Sequence, residues 1–230
     1  MLRRHPRKSV SRERLPFCAV CGLWPHLCVC AELPPSRRLG VELIVLQHFS
    51  ESRRQSNSGR LAASLVPGSR VVPWGWPGVS FDDGALAAPG AEVCVLFPQA
   101  DATPLDGSRD ARRASGGRTA LVLLDATWSQ ARSMARRVPG LDALPFVTLA
   151  AGAPARFTLR RSPHPGTYST LEAAVRAVEA LEGADAARPL WRATETVLAR
   201  SLHMRGKIDA RELRAREARL AAAADSRDPG

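Results

Sequence analysis

No stretch of the 230-residue chain is apolar over the ~20 residues that a helix needs to cross a bilayer, and the N-terminus lacks the apolar core of a secretory signal. A membrane protein is therefore not expected, and the cytosol (a cytoplasmic location) is. Lysine is nearly absent, with Lys8 and Lys207 the only two among 33 basic residues. Against 22 acidic residues this leaves a net charge of +11 and a pI near 10.9, carried almost wholly by arginine. RNA, DNA and anionic membrane surfaces all suit that charge, which does not choose among them. Arginine binds phosphate through a planar two-pronged donor set and stacks on bases, although the coding bias of a GC-rich genome also produces an arginine and alanine excess. Apolar periodicity is missing from 98–117, where Arg109, Arg112 and Arg113 accompany Gly116 and Gly117, with Arg118 just after. A mobile basic loop is expected there, serving as a lid, a nucleic-acid contact or a plain surface excursion.

Cysteine is also sparse, five in all, but four are packed together. Cys18, Cys21, Cys28 and Cys30 form C-x2-C-x6-C-x-C, with Gly22, Pro25 and His26 in the loop between them. Four thiolates at this spacing suit tetrahedral zinc with no position left for water or substrate, so the expected metal is structural. An iron–sulfur cluster is the alternative, His26 is a candidate to replace one cysteine, and disulfides are the weaker reading in a reducing compartment. Cys94, inside the apolar run 93–97, is expected to be a small core residue.

Beyond Pro34 and Pro35 the pattern alternates strand and helix. Strands are expected over 41–48, 71–76, 92–97, 120–124 and 146–149. Helices are expected over 58–66, after Asp125 along the apolar stripe Trp128, Ala131, Met134, Ala135 and Val138, over 171–181 and over 188–204. The fold class is thus α/β, a mostly parallel sheet with flanking helices. Asp125 closes a short, wholly apolar strand, which puts it at the carboxyl edge where such sheets bind ligands; helix capping by Asp125 or Thr127 is the competing reading. The polar turn after the first strand holds His48, Glu51, Arg53, Arg54, Asn57 and Arg60 at the same edge, or else is a solvated loop. Ser169 and Glu172 form the pattern of a capping box, and Arg156, Arg160, Arg161 and His164 precede it, so that helix start could receive a carboxylate or phosphate.

Together with the four cysteines, the segments H-F-S-E-S-R-R-Q-S-N-S-G-R-L, F-P-Q-A-D-A, L-L-D-A-T-W-S-Q-A-R-S-M and Y-S-T-L-E-A resemble the DTW-domain family, similar to tRNA-uridine aminocarboxypropyltransferases. The resemblance spans roughly residues 18–185. It departs in Ser58, where the family has threonine, and in Ala126, often glycine there. It implies a SPOUT-like fold, with or without that fold's knot, and transfer of the 3-amino-3-carboxypropyl group of S-adenosylmethionine to N3 of a tRNA uridine, in the variable loop. With the basic content of the N-terminus, the cysteine spacing and the Arg, Glu and Ala richness of the C-terminus, the expected division is a basic N-terminal arm at 1–14, a four-cysteine zinc-binding segment at 15–35, a catalytic domain at 36–205 and a charged C-terminal helix or tail at 206–230. By the same resemblance Asp125 is the catalytic residue, as base or as orienting group. Backbone groups around Phe97, Pro98, Leu123 and Leu124 would hold the adenosine, Thr127 is a further cofactor-binding candidate, and Ser169 and Thr170 are the candidates for the methionine carboxylate. Arg60, Arg132 and Arg160 are the candidates for tRNA phosphates, and Trp128 is expected to pack in the core rather than stack on a base. The readings set against this are a non-catalytic, zinc-stabilised RNA-binding protein and a SPOUT-type RNA methyltransferase. The sequence leaves the oligomeric state open.

Overall fold

A computed structural model describes residues 17–34, 39–105, 117–150, 154–156 and 168–225. The N-terminal arm, the basic residues Arg109, Arg112 and Arg113, and Arg160, Arg161 and His164 lie outside the described residues. The strands are β1 (Val41–His48), β2 (Arg70–Trp74), β3 (Ala91–Leu96), β4 (Thr103–Pro104), β5 (Arg118–Asp125) and β6 (Phe146–Thr148). They form one sheet in the order β2-β1-β5-β3-β6-β4, and every neighbouring pair is parallel. The helices are α1 (Phe49–Ser52), α2 (Gly59–Leu65), α3 (Trp128–Arg137), α4 (Thr170–Glu182), α5 (Ala184–Met204) and α6 (Ala210–Asp225).

The continuous apolar runs of β1 and β5 follow from their central place, because both faces of a parallel sheet are covered by helices. Side-chain alternation then sorts the two cores. Leu43 and Val45 of β1 and Leu121 and Leu123 of β5 face α2, α4, α5 and the cysteine segment. Ile44, Leu46, Ala120, Val122 and Leu124 face the other way, onto Ala131, Met134 and Val138 at α3. Each fully buried Leu or Val in these layers contributes roughly 1.5–3 kcal/mol relative to exposure. Cys94 is a buried member of the first core, as expected from its apolar run. Residue pairing runs from Val41↔Thr119 to Gln47↔Asp125, so the polar ends of two apolar strands arrive side by side.

Three boundaries differ from the sequence reading. β2 stops at Trp74, since Gly75 turns the chain with φ +78°. β4 was not anticipated: two residues long and ending in proline, it pairs with β6 alone, at the sheet edge where a missing N–H is tolerated. α5 starts at Ala184, five residues before Pro189, directly after the single-residue corner Gly183, whose φ of +85° suits glycine. The expected C-terminal helix or tail is a helix, α6, with Leu213 buried. No helix among the described residues is long and apolar enough to cross a membrane.

Candidate active site

Asp125 ends β5 with its side chain on the α2/α4 face, only 3% exposed. Its carboxylate accepts hydrogen bonds from three side chains brought by three other segments. Gln47 Nε2 of β1 donates to Oδ2 at 3.0 Å, Asn57 Nδ2 of the following loop donates to the same oxygen, and Thr170 Oγ1 at the first position of α4 donates to Oδ1 at 2.8 Å. Gln47 Nε2 also donates to Asn57 Oδ1 at 3.1 Å, which closes the cluster. The carboxylate rests on the backbone of Gly59: a Cβ there would stand 2.5 Å from Asp125 Cγ and Oδ2. Ser58 Oγ accepts the Leu171 N–H at 3.4 Å, so the starts of α2 and α4 are tied together around Asp125. A carboxylate buried with this many donors is a rigid junction.

The same turn is held from its other side. Thr127 caps α3, its backbone N–H and its hydroxyl both donating to Gln130 Oε1 at 3.0 and 2.7 Å. Gln130 Nε2 donates to Ser50 Oγ at 3.1 Å, and Ser50 Oγ lies 2.8 Å from His48 Nδ1. His48 ends β1, half-buried between Phe49 and Trp74 at ring-centroid distances of 4.8 and 5.7 Å. Burial holds its imidazole below the usual histidine range, with the Glu51 charge opposing. Thus Thr127 does cap a helix, as the competing reading had it, while Asp125 does not.

The other candidates fall into separate places. Leu123 and Leu124 are buried strand residues, and Phe97 is buried against Trp128 at 5.2 Å, while Pro98 beside it is exposed. Trp128 packs with the α3-side core, as expected. The Ser169 hydroxyl accepts the Glu172 N–H at 3.2 Å and so starts α4, whereas the Glu172 carboxylate takes the Arg156 N–H at 2.9 Å and the Arg176 guanidinium. Arg60 follows Gly59; its Nη1 donates to Ser52 O at 3.3 Å and its buried Nε has no hydrogen-bond partner among the described residues. Arg132 is exposed on α3, and Arg160 lies outside the described residues. Sequence reasoning missed Gln47, Ser50 and Gln130. Gln47 was signalled only by a polar pair, Gln47-His48, closing an apolar run, and Gln130 by the T-x-x-Q spacing of a capping box from Thr127.

The four clustered cysteines converge. Cys18 Sγ lies 3.5 Å from Cys30 Sγ, Cys21 Sγ lies 3.7 Å from Cys28 Sγ, and all four sulfurs fall within 4.8 Å of one another without a disulfide. Thiolates at ~2.3 Å from one tetrahedral ion are about 3.8 Å apart. The donor set therefore fits a single ion; an iron–sulfur cluster, with its ligands on different irons, needs a wider spread. His26 is exposed beside Trp24 and is not part of the cluster of four cysteines that could hold a metal. Burial pushes the Cys21 and Cys30 thiols up; at Cys18 burial is outweighed by backbone N–H donors of Cys21 and Val20, which bring it down to about 6. Two contacts anchor this segment. Arg200 donates to the Leu27 and Cys28 carbonyls at 3.3 and 3.2 Å and pairs with Glu32 and Glu217. Gln55 Nε2 donates to Gly22 O at 3.1 Å, and Gly22, with φ +71°, has no room for a Cβ against Gln55 O.

The family model described as DTW domain matches residues 15–204. A Drosophila melanogaster protein named tRNA-uridine aminocarboxypropyltransferase 2 is 31% identical over 194 residues, 81% of this chain and 72% of its own. A Mus musculus protein of the same name is 30% identical over 179 residues, 74% of this chain and 58% of its own, so the chain spans less than two thirds of the mouse relative. No solved structure matches the chain. With the family model covering the cysteine segment, the sheet and the Asp125 junction alike, the chain belongs to the DTW domain family.

Proposed function

We propose that this protein is a tRNA-uridine aminocarboxypropyltransferase that takes the 3-amino-3-carboxypropyl group from S-adenosylmethionine to N3 of a uridine, in the tRNA variable loop, and releases methylthioadenosine. The observation that carries the reading is the family match over 15–204 together with two relatives named for this activity. S-adenosylmethionine supplies a sulfonium whose three attached carbons are all electrophilic, so the site selects the product by alignment. The parallel sheet is consistent with a SPOUT-like arrangement in which the cofactor lies in the loops at the carboxyl edge, along Phe97, Pro98, Leu123, Leu124 and Thr127. The methionine carboxylate is assigned to the start of α4, at Ser169 and Thr170.

Asp125 is the residue on which turnover depends. Because Gln47, Asn57 and Thr170 already occupy its oxygens, we assign it the orienting role: it locks β1, the 53–58 loop and α4 in the geometry that aligns the two substrates. An Asp125→Asn protein should fold and bind the cofactor yet transfer about 100-fold more slowly, the cost of misplacement by about an ångström. Full transfer by that variant would remove Asp125 from the mechanism. The four cysteines are assigned one structural zinc, and elemental analysis finding neither zinc nor iron would remove the metal.

The test of the reaction is incubation with S-adenosylmethionine and bulk tRNA, followed by mass spectrometry of nucleosides and by-product. Aminocarboxypropyl-uridine with methylthioadenosine is expected. Methylated nucleoside with S-adenosylhomocysteine would make the protein a methyltransferase, and tight tRNA binding without turnover would make it a binding module.

A further inference from the structure

We propose that His48 and Trp74 form the subsite for an unpaired uracil base, with His48 Nε2–H donating to a uracil carbonyl oxygen; this rests on the reading of the protein as a uridine-modifying enzyme. The first argument is the tautomer. The Ser50 backbone N–H, which can only donate, points into His48 Nδ1 at 3.2 Å, so the neutral ring carries its proton on Nε2. The relay from Thr127 agrees with that tautomer. Thr127 donates to Gln130 Oε1, Gln130 Nε2 donates to Ser50 Oγ, and the serine hydroxyl proton is left for Nδ1. Nε2–H is the outward end of that chain, and it has no hydrogen-bond partner among the described residues.

The second argument is the surroundings. Gln47↔Asp125 are paired in the sheet, so His48, the next residue, stands at the same carboxyl edge as the Asp125 junction. Trp74 ends the adjacent strand β2 and is half-buried, its indole 5.7 Å from the imidazole. Gly75 follows, exposed, and a Cβ there would stand 3.8 Å from His48 Nε2, so glycine leaves that edge uncovered. A half-exposed indole beside an open N–H donor is what an unstacked base needs: a π-face and one polar contact. Burial also favours the neutral imidazole, with the Glu51 charge opposing.

The chemistry selects uracil. When N3 gives its proton to water, the negative charge spreads onto O2 and O4, and the Nε2–H donor positioned at O4 stabilises that anion as it attacks. The N3–carbon bond then forms, the carbon–sulfur bond of S-adenosylmethionine breaks, and its electron pair stays on the sulfur of methylthioadenosine. Cytosine presents an amino group in place of O4, which would set donor against donor.

The test compares wild type with His48→Ala, His48→Gln and Trp74→Ala. Steady-state transfer to tRNA, calorimetric cofactor binding and anisotropy with short oligouridine and oligocytidine are measured on each. Transfer by His48→Ala should fall about 100-fold in kcat/KM, the cost of one lost oxyanion donor, with cofactor affinity within about twofold of wild type. His48→Gln, which restores an Nε2 donor at similar reach, should recover at least about tenfold of that loss. Trp74→Ala should raise KM for tRNA about tenfold. Wild type should prefer oligouridine, and His48→Ala should bind both oligonucleotides alike. Transfer by wild type with no loss in His48→Ala, or an equal loss in both histidine variants, would overturn the subsite and leave the reaction standing. Oligouridine preference without any transfer would support the subsite while removing the proposed reaction.

Discussion

Gly59 and Asp125 show how closely single residues set this site. No side chain fits at position 59, because the Asp125 carboxylate already occupies the place where a Cβ would stand. Gly59→Ala must therefore push the carboxylate off Gln47, Asn57 or Thr170, and overpacking of this kind costs about 1–3 kcal/mol. A melting transition within a degree of wild type would show that the junction is softer than its geometry implies. Thr170→Val is the milder probe. It keeps the shape and removes the donor to Oδ1, with an expected loss of about 1–3 kcal/mol for leaving a buried acceptor short of a partner, read by denaturant unfolding. The place of Asp125 was legible because a carboxylate closing an apolar run announces itself locally, whereas Thr170 was singled out for the methionine carboxylate and its hydrogen bond to Asp125 was not foreseen. The role of Gln47 was not legible, since it depends on the β1–β5 register, which joins it to Asp125, 78 positions away, and leaves no trace in periodicity.

At the scale of elements, the strands that read most clearly were those buried on both faces, where nothing but apolar residues fits; 41–48 was read to its last residue. The misses lie where local pattern is weak: the two-residue β4, and the start of α5, where Pro189 masks a helix that tertiary packing sustains. The cysteine motif named its own ligands but not its neighbours. Gly22 against Gln55 couples the metal segment to the loop that carries Asn57, two residues further on, and so to Asp125. Removing the proposed ion should therefore loosen more than the cysteine segment. Chelation is expected to raise amide hydrogen exchange at 55–58 as well as at 18–30, and to lower transfer activity, which metal should restore. Exchange confined to 18–30 would mean that the Gln55 contact transmits nothing.

For the whole molecule, the net charge of +11 was legible at once, yet only the fold shows where some of it lies. Arg53 and Arg54 begin the site loop and Arg132 is exposed on α3, with Arg136 and Arg137 exposed in its last turn, so two elements that open at the carboxyl edge carry unburied guanidinium groups. A tRNA seated there would displace counterions from its phosphates, and its affinity should fall steeply with salt, by about 10³-fold or more between 50 and 200 mM if six or more phosphates are neutralised. Cofactor binding has no such polyanion and should change little over the same range. Arg132 and Arg60 then separate two uses of the same residue type. Arg132 is exposed, so Arg132→Ala should leave the melting temperature unchanged and reduce the slope of log affinity against log salt by about 1. Arg60 spans inward to the Ser52 carbonyl, so Arg60→Ala should lower stability by about 1 kcal/mol as well as weaken tRNA binding. A salt-independent tRNA affinity, or an Arg132→Ala slope equal to wild type, would mean that the arginine excess is compositional and that this face does not meet RNA.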